Sequence, residues 1–302
     1  MKLSVIVPMY HAYFFDDIMA SYVWQDIKTD YEVLFMMTGK DSGACQCTID
    51  HLKKTHNLPW RVYNVPLMSN CACRNLGTKE STGEALLFID GDQIIAPHLF
   101  KSHAKLHFAL PYGLSDMVPK VGIGICNINV VRYQDTMDLW MPHNPEQRMM
   151  FSGKQETMPM QKVYSSDCLS FIKNLTLSQA IGLAWWHNMN DFADYVNTVG
   201  RNISVNKRKF VELGMWDEEL AYSETTNSRG WEDLMMGLTM YKAGLLFEMV
   251  PSWTAHLEHP RMNKDGGLDN IVKLVRKHKW FLDERPDWWA LRYDRNEIRR
   301  ML

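Results

Sequence analysis

The sequence predicts an α/β fold in which a mostly parallel central sheet is flanked by helices. One observation is the run Ala85-Leu86-Leu87-Phe88-Ile89, apolar without alternation, as a strand buried on both faces must be. The other is the rhythm of the first 110 or so residues, where short β-rich runs alternate with helical stretches of about a dozen residues, the signature of βαβ units. The central run stops on Asp90-Gly91-Asp92. Ligands of open α/β sheets gather at the carboxyl ends of strands, so these two carboxylates sit where chemistry is placed.

Taken in order, residues 3–7 form a first apolar strand ending at Pro8-Met9-Tyr10-His11. A helix over 14–26 follows, with Asp16 and Asp17 near its start, where the helix dipole favours acids. Residues 31–37 make a second strand, closed by Thr38-Gly39-Lys40-Asp41. A helix over 44–56, a short strand over 60–65 and a helix over 70–82 lead to the central strand. Residues 97–110 read as a helix and 121–131 as a strand carrying Gly122 and Gly124. Between 132 and 198 no period is clear. Order returns at Gly200-Arg201-Asn202-Ile203-Ser204-Val205, then a helix over 206–213 that Gly214 stops. A helix starting near Glu232 is expected to bury Leu234, Leu238 and Tyr241 on one face. With no internal repeat or low-complexity linker, the expectation is one domain over 1–262, with a nucleotide-binding half (1–120) and a second half (121–262). A helical, basic and aromatic extension follows over 263–302.

The bulk composition is that of a globular protein: 302 residues, 46% hydrophobic, 23% charged, net charge −2. No global field favours nucleic acid. No run approaches the about eighteen apolar residues of a membrane span, which points to a cytoplasmic protein, at most peripheral at a membrane. The six cysteines include two Cys-x-Cys pairs, tighter than structural zinc usually shows; they read as reduced, buried thiols. Two carboxylates as close as Asp90 and Asp92 repel unless a cation lies between them, and hard divalent ions such as Mg²⁺ or Mn²⁺ accept carboxylate and phosphate oxygens together.

Seven motifs then stand in order: the strand ending Pro8-Met9-Tyr10, Arg74-Asn75-Leu76-Gly77, Asp90-Gly91-Asp92, Gly200-Arg201-Asn202, Gly214-Met215-Trp216-Asp217-Glu218, Trp231-Glu232-Asp233 and His256-Leu257-Glu258-His259-Pro260. In this series, over residues 3–259, the chain resembles the family 2 glycosyltransferases of GT-A fold. The resemblance implies transfer of a sugar from a nucleoside diphosphate, most often UDP, with Mn²⁺ or Mg²⁺ as cofactor and inversion at the anomeric carbon. It implies that Pro8, Tyr10, Thr38, Asp41, Arg74, Asp90, Gly91 and Asp92 form the donor site. Asp90, Asp92 and His256 would hold the metal, with His259 as the competing histidine. Asp233 matches the catalytic base and Glu232 its neighbour, while Trp231, Glu232, Trp185 and Trp186 face the acceptor. The chemistry suits these residue types. A carboxylate takes the proton of the attacking hydroxyl while charge grows on the leaving diphosphate, beside a sugar of oxocarbenium character.

One departure stands out. Where the family usually has an aspartate pair that reads the uracil ring, this chain has Met36-Met37-Thr38, leaving Thr38 or Asp41 as substitutes. A saccharide or glycan-precursor acceptor is expected. The basic clusters Lys207-Arg208-Lys209 and Arg276-Lys277-His278-Lys279 keep a protein or nucleic-acid acceptor open, and the C-terminal tail keeps a homo-oligomer or a lipid contact open. Two rivals are weaker. A nucleotidyltransferase would carry a Gly-rich, basic loop after its first strand, which Pro8-Met9-Tyr10-His11 is not. A non-catalytic GT-A-like binder would be expected to lack Asp92 or Asp233, and both are present.

Overall fold

The structure is a computed structural model; it describes residues 1–10, 15–39, 42–109, 119–132, 162–165, 168–183, 200–220, 232–257, 272 and 275–277. Among these residues one nine-stranded sheet runs β3-β2-β1-β4-β8-β6-β9-β5, with β7 also paired to β6. Its strands are β1 (Lys2–Met9), β2 (Asp30–Met37), β3 (Trp60–Asn64), β4 (Ala85–Phe88), β5 (Gln93–Ile95), β6 (Lys120–Arg132), β7 (Lys162–Ser165), β8 (Ile203–Asn206) and β9 (Leu246–Leu257). Helices α1 (Phe15–Val23), α2 (Ser42–His56), α3 (Asn70–Glu80) and α4 (Leu99–Phe108) link the first half, close to the spans predicted above.

Strands β1 to β4 are mutually parallel, and their apolar runs are explained by burial on both faces. On one face Leu3, Val5, Val7, Val33 and Phe35 pack with Ile18, Met19 and Tyr22 of α1. On the other, Ile6, Leu34, Leu86 and Phe88 pack with Cys71 and Cys73 of α3 and with Trp216. The thiols Cys45, Cys71, Cys73 and Cys126 are buried and in no disulfide, as expected of core cysteines, whereas Cys47 is exposed, on the outer side of α2, against that expectation. Burial pushes the Cys73 thiol up to about 11, out of the reactive range.

The second half departs from the prediction. β8 runs antiparallel to both β4 and β6, and β5 runs antiparallel to β9, so the sheet is mixed. Neither β5 nor β9 is legible as a strand. β5 has three residues, and β9 contains Pro251, which cannot donate to a ladder. The register between β6 and β9 shifts from Gly124↔Val250 to Ile125↔Trp253, so Pro251 falls in an irregularity that absorbs it. Helices Cys168–Asn174 and Leu177–Leu183 occupy part of the stretch in which no period was seen. In helix Glu232–Lys242 the expected face is corrected. Leu234 and Leu238 are buried, but Tyr241 is 48% exposed, and Met235, Met236 and Met240 fill the core instead. A helix flanked so fully by packed elements buries more than one stripe, so a single apolar row mislocates its edge.

Candidate active site

The first half of the site is the carboxyl end of β1 and the turn after β4. Gly91 sits where a Cβ would lie 2.5 Å from the Pro8 carbonyl oxygen, so only glycine lets the aspartate turn close onto the end of β1. Asp90 and Asp92 flank it, with side chains 29% and 33% exposed. Tyr10 lies partly buried beside this turn, its carbonyl in close contact with Gly39 at the end of β2. Thr38 is buried; its hydroxyl donates to the Pro66 carbonyl at 3.0 Å and accepts from the Met68 N–H at 3.1 Å. That hydroxyl therefore fastens the loop after β3 and is already occupied on both counts. Asp41, Trp185, Trp186, Trp231 and His259 lie outside the described residues.

The pairing of β5 with β9 brings in His256. Gln93 stands opposite His256 in the register, and the Leu257 N–H donates to the Asp92 carbonyl at 3.1 Å. As a result His256 Nε2 lies 3.2 Å from Asp92 Oδ2, while the Gln93 amide donates to Asp92 Oδ1 at 2.7 Å. The imidazole is 5% exposed, so it is fixed by packing. An imidazole nitrogen and a carboxylate oxygen at this separation form a donor pair that suits Mn²⁺, which takes nitrogen and oxygen ligands and completes its shell with substrate oxygens and water. No group of three such side chains converges among the described residues, because Asp90 is turned elsewhere.

Asp90 is turned to Arg74. The guanidinium is 3% exposed; its Nη2 donates to Asp90 Oδ1 at 2.6 Å, and its Nη1 lies 3.8 Å from Asp233 Oδ1. Trp216 stacks under the guanidinium at 4.8 Å. The motif around Arg74 can now be understood residue by residue. Asn75, next in α3, donates to the Trp216 carbonyl at 2.9 Å, accepts from the Trp216 N–H at 2.9 Å and donates to Glu218 Oε1 at 2.8 Å. It thereby clamps the Gly-x-Trp-Asp-Glu loop beneath Arg74. The resemblance had implied that Arg74 reaches the nucleotide; the structure places it under the aspartate turn.

The second half of the site opens at the entrance to β8. The Gly200 N–H donates to Asp233 Oδ1 at 2.9 Å, and a Cβ on Gly200 would stand 2.6 Å from the Arg74 guanidinium carbon. Asn202 and Ser204 hold this entrance to the sheet through His103: its Nε2 contacts Asn202 Oδ1 at 2.9 Å, its Nδ1 Ser204 Oγ at 2.7 Å. Burial pushes His103 down to about 4, keeping it neutral. Asp233, 31% exposed, and Glu232 begin the helix Glu232–Lys242. Burial raises both carboxyls, Glu232 to about 7, helped by the charge of Asp233; Arg74 pulls both back down. Burial opposes the charge of Arg201, but Cys126, Asp90, Asp92 and Asp233 together hold it protonated. Gly200-Arg201-Asn202 stood among the seven motifs, but neither Gly200 nor Arg201 was given a place in the site; the motif itself was the available signal.

Gln93, His256 and Leu257 thus meet at Asp92, and the comparisons match this architecture. The structure of GalNAc-T7 with UDP, GalNAc and Mn²⁺ superposes over 97% of this chain and 52% of that one, at a TM-score of 0.57 and 14% identity. The S. aureus TarS 1–349 complex with UDP-GlcNAc superposes over 97% of this chain and 76% of that one, at 0.51 and 16%. The fold is that of the GT-A glycosyltransferases. In sequence, the chain is 22% identical over 303 residues to the uncharacterized glycosyltransferase YfnE of Bacillus subtilis (strain 168), covering 92% of this chain and 71% of the relative. No family model matches the chain. Together these relatives support a glycosyltransferase of GT-A type, although this chain spans only about half the length of the GalNAc-T7 chain.

Proposed function

We propose that the chain is a metal-assisted, inverting glycosyltransferase of family 2 type, which moves a sugar from a nucleoside diphosphate, UDP first, to a hydroxyl of a saccharide or glycan precursor. The observation that carries this reading is the meeting of Asp90 and Asp233 on one guanidinium, which brings a donor-side turn and an acid 143 residues later in the chain to one opening. The UDP, GalNAc and Mn²⁺ of the GalNAc-T7 structure and the UDP-GlcNAc of the TarS structure support the donor class. Asp92 and His256 would hold the metal ion, with Asp90 in its outer surroundings. When bound, the ion supplies Lewis-acid charge toward the leaving diphosphate.

Asp233 is the base. Its partial exposure lets an acceptor hydroxyl approach, the Gly200 N–H fixes one oxygen, and the raised affinity for a proton suits proton abstraction near neutral pH. Direct attack with a single base and no covalent sugar intermediate implies inversion. Glu232 Oε2 is buried without a hydrogen-bond partner among the described residues, and its carboxyl would help hold the acceptor beside Asp233. For the acceptor, the basic helix Lys207–Glu212 favours a neutral saccharide over a phosphate polymer: Lys209 and Arg208 ion-pair with Glu212, and Lys207 donates to the Ser81 carbonyl. Lys277 likewise pairs with Asp217. The division into a domain over 1–262 and an extension over 263–302 belongs to the same proposal. No helix among the described residues is long and apolar enough to cross a membrane.

The test is hydrolysis and transfer of UDP-sugars with and without Mn²⁺. Asp233→Asn is expected to lower kcat about 10²-fold or more while UDP binding persists. Undiminished transfer in that variant would remove the base from the proposal. A chain that binds UDP but turns over no UDP-sugar would be a binding protein.

A further inference from the structure

We propose that Arg74 is a positioning residue that ties the catalytic carboxylate Asp233 to the donor-side turn at Asp90, rather than a ligand of the donor diphosphate. This deepens the reading above and rests on it for the word catalytic. The geometry comes from four directions. Beneath, the indole of Trp216 supports the guanidinium at 4.8 Å, itself clamped by Asn75. Above, Gly200 lies so close that a Cβ would strike the guanidinium carbon at 2.6 Å. At one edge Nη2 holds Asp90 Oδ1 at 2.6 Å, and at the other Nη1 faces Asp233 Oδ1 at 3.8 Å.

A guanidinium has a rigid planar fork whose two ends hold two carboxylates in a fixed geometry, whereas an ammonium is a compact point charge on a flexible stem. Here it is enclosed on both faces and 3% exposed. Nη1 is at ion-pair distance from Asp233 without a hydrogen bond among the described residues, so the tie to that side is electrostatic. Swinging the guanidinium out to a diphosphate would break the Nη2 bond and leave Asp90 without its counter-charge. The residue is more valuable where it stands. It fixes the distance between the aspartate turn that receives the donor and the carboxylate that receives the acceptor's proton. It also opposes the burial that would otherwise neutralise Asp233. The Gly200 N–H, bonded to the same Oδ1 of Asp233, orients the carboxylate from the opposite side. Arg74 and Gly200 therefore form one cradle, contributed by α3 and the entrance to β8.

Two measurements on the full chain decide this. The first follows the Asp233 carboxyl by ¹³C NMR titration without metal or donor, in the wild type, Arg74→Gln and Arg74→Lys. The Asp233 midpoint is expected to rise by about one pH unit or more in Arg74→Gln and to stay near the wild-type value in Arg74→Lys, which keeps the charge. The second compares UDP affinity with kcat. Both variants are expected to keep the UDP Kd within about threefold while kcat falls about tenfold or more, the lysine losing the fork and the glutamine both fork and charge. An unmoved Asp233 titration in Arg74→Gln overturns the proposal. So does a UDP Kd weakened about tenfold with kcat retained, the signature of a diphosphate ligand. If the wild type transfers no sugar, the proposed function fails, but the titration still decides whether Arg74 governs Asp233. Should Arg74→Gln not fold, Arg74→Lys carries the second measurement alone, with the same deciding outcomes.

Discussion

Replacing Glu232 by glutamine should stabilise the protein at alkaline pH and leave it nearly unchanged in acid. The carboxyl is an acid whose proton is held more tightly in the folded chain, its midpoint moved from 4.5 to about 7 by burial and by the neighbouring Asp233 charge. Well below pH 4.5 both folded and unfolded chains carry the proton, and the residue contributes no penalty. Between the two values the unfolded chain releases its proton while the folded chain retains it, so stability falls as pH rises, and above about 7 the loss is complete. At 1.36 kcal/mol per pH unit the ceiling is about 3 kcal/mol. Because Asp233 shares the titration and part of Glu232 faces solvent, about 1–2 kcal/mol is the expected gain for Glu232→Gln. Urea unfolding followed by tryptophan fluorescence at about pH 5 and about pH 8 measures it. Transfer activity should fall in the same variant, since the glutamine cannot offer a carboxylate to the acceptor. A variant destabilised equally at both pH values would refute the reasoning, because the effect of residue 232 on stability would then not depend on the charge of its carboxyl.

Other expectations concern the supports of the site. Asn75→Ala removes both bonds to the Trp216 backbone and should cost about 2–3 kcal/mol in urea unfolding, with the carbonyl and N–H left buried. Gly200→Ala forces a methyl group against the Arg74 guanidinium and should destabilise by roughly 1–3 kcal/mol; a neutral result by thermal unfolding would show that the cradle is looser than the distances imply. His256→Ala should raise the Mn²⁺ concentration for half-maximal UDP-sugar hydrolysis about tenfold or more, whereas a nearly unchanged Mn²⁺ dependence would remove His256 from the metal site.

What was legible in the sequence and what was not follows from range. Strands β1, β2 and β4 carry the apolar runs Val5 to Val7, Val33 to Met37 and Ala85 to Phe88 because both faces are buried there, and the pattern is local. The same holds for α3, whose start is marked by Ser69, which accepts from the Ala72 N–H at 3.2 Å. Where a feature depends on a distant partner, local patterns fail. β5 is three residues long and is a strand only because β9 pairs with it. β9 tolerates Pro251 only because its register with β6 shifts there. The position of His256 follows from that pairing, and no spacing in the sequence could have chosen it.

The residue types at the site were legible; their partners were not. From the tripeptide alone, Asp90 and Asp92 look equivalent, two carboxylates one residue apart. In the fold they divide, Asp90 toward a buried arginine and Asp92 toward a buried histidine. Their mutual repulsion is thus relieved by two different cationic or ligating groups before any metal is considered. The division also bears on Arg74, which the resemblance places at the nucleotide or its phosphates and which in the fold is bonded to Asp90. An arginine at the start of a helix facing a phosphate site is a natural phosphate ligand until its burial is known, and burial is set by Trp216 and Gly200, more than 120 residues away. A chain-order motif can therefore name the members of such a site, while the charge pairing that decides their roles is written only in the packing.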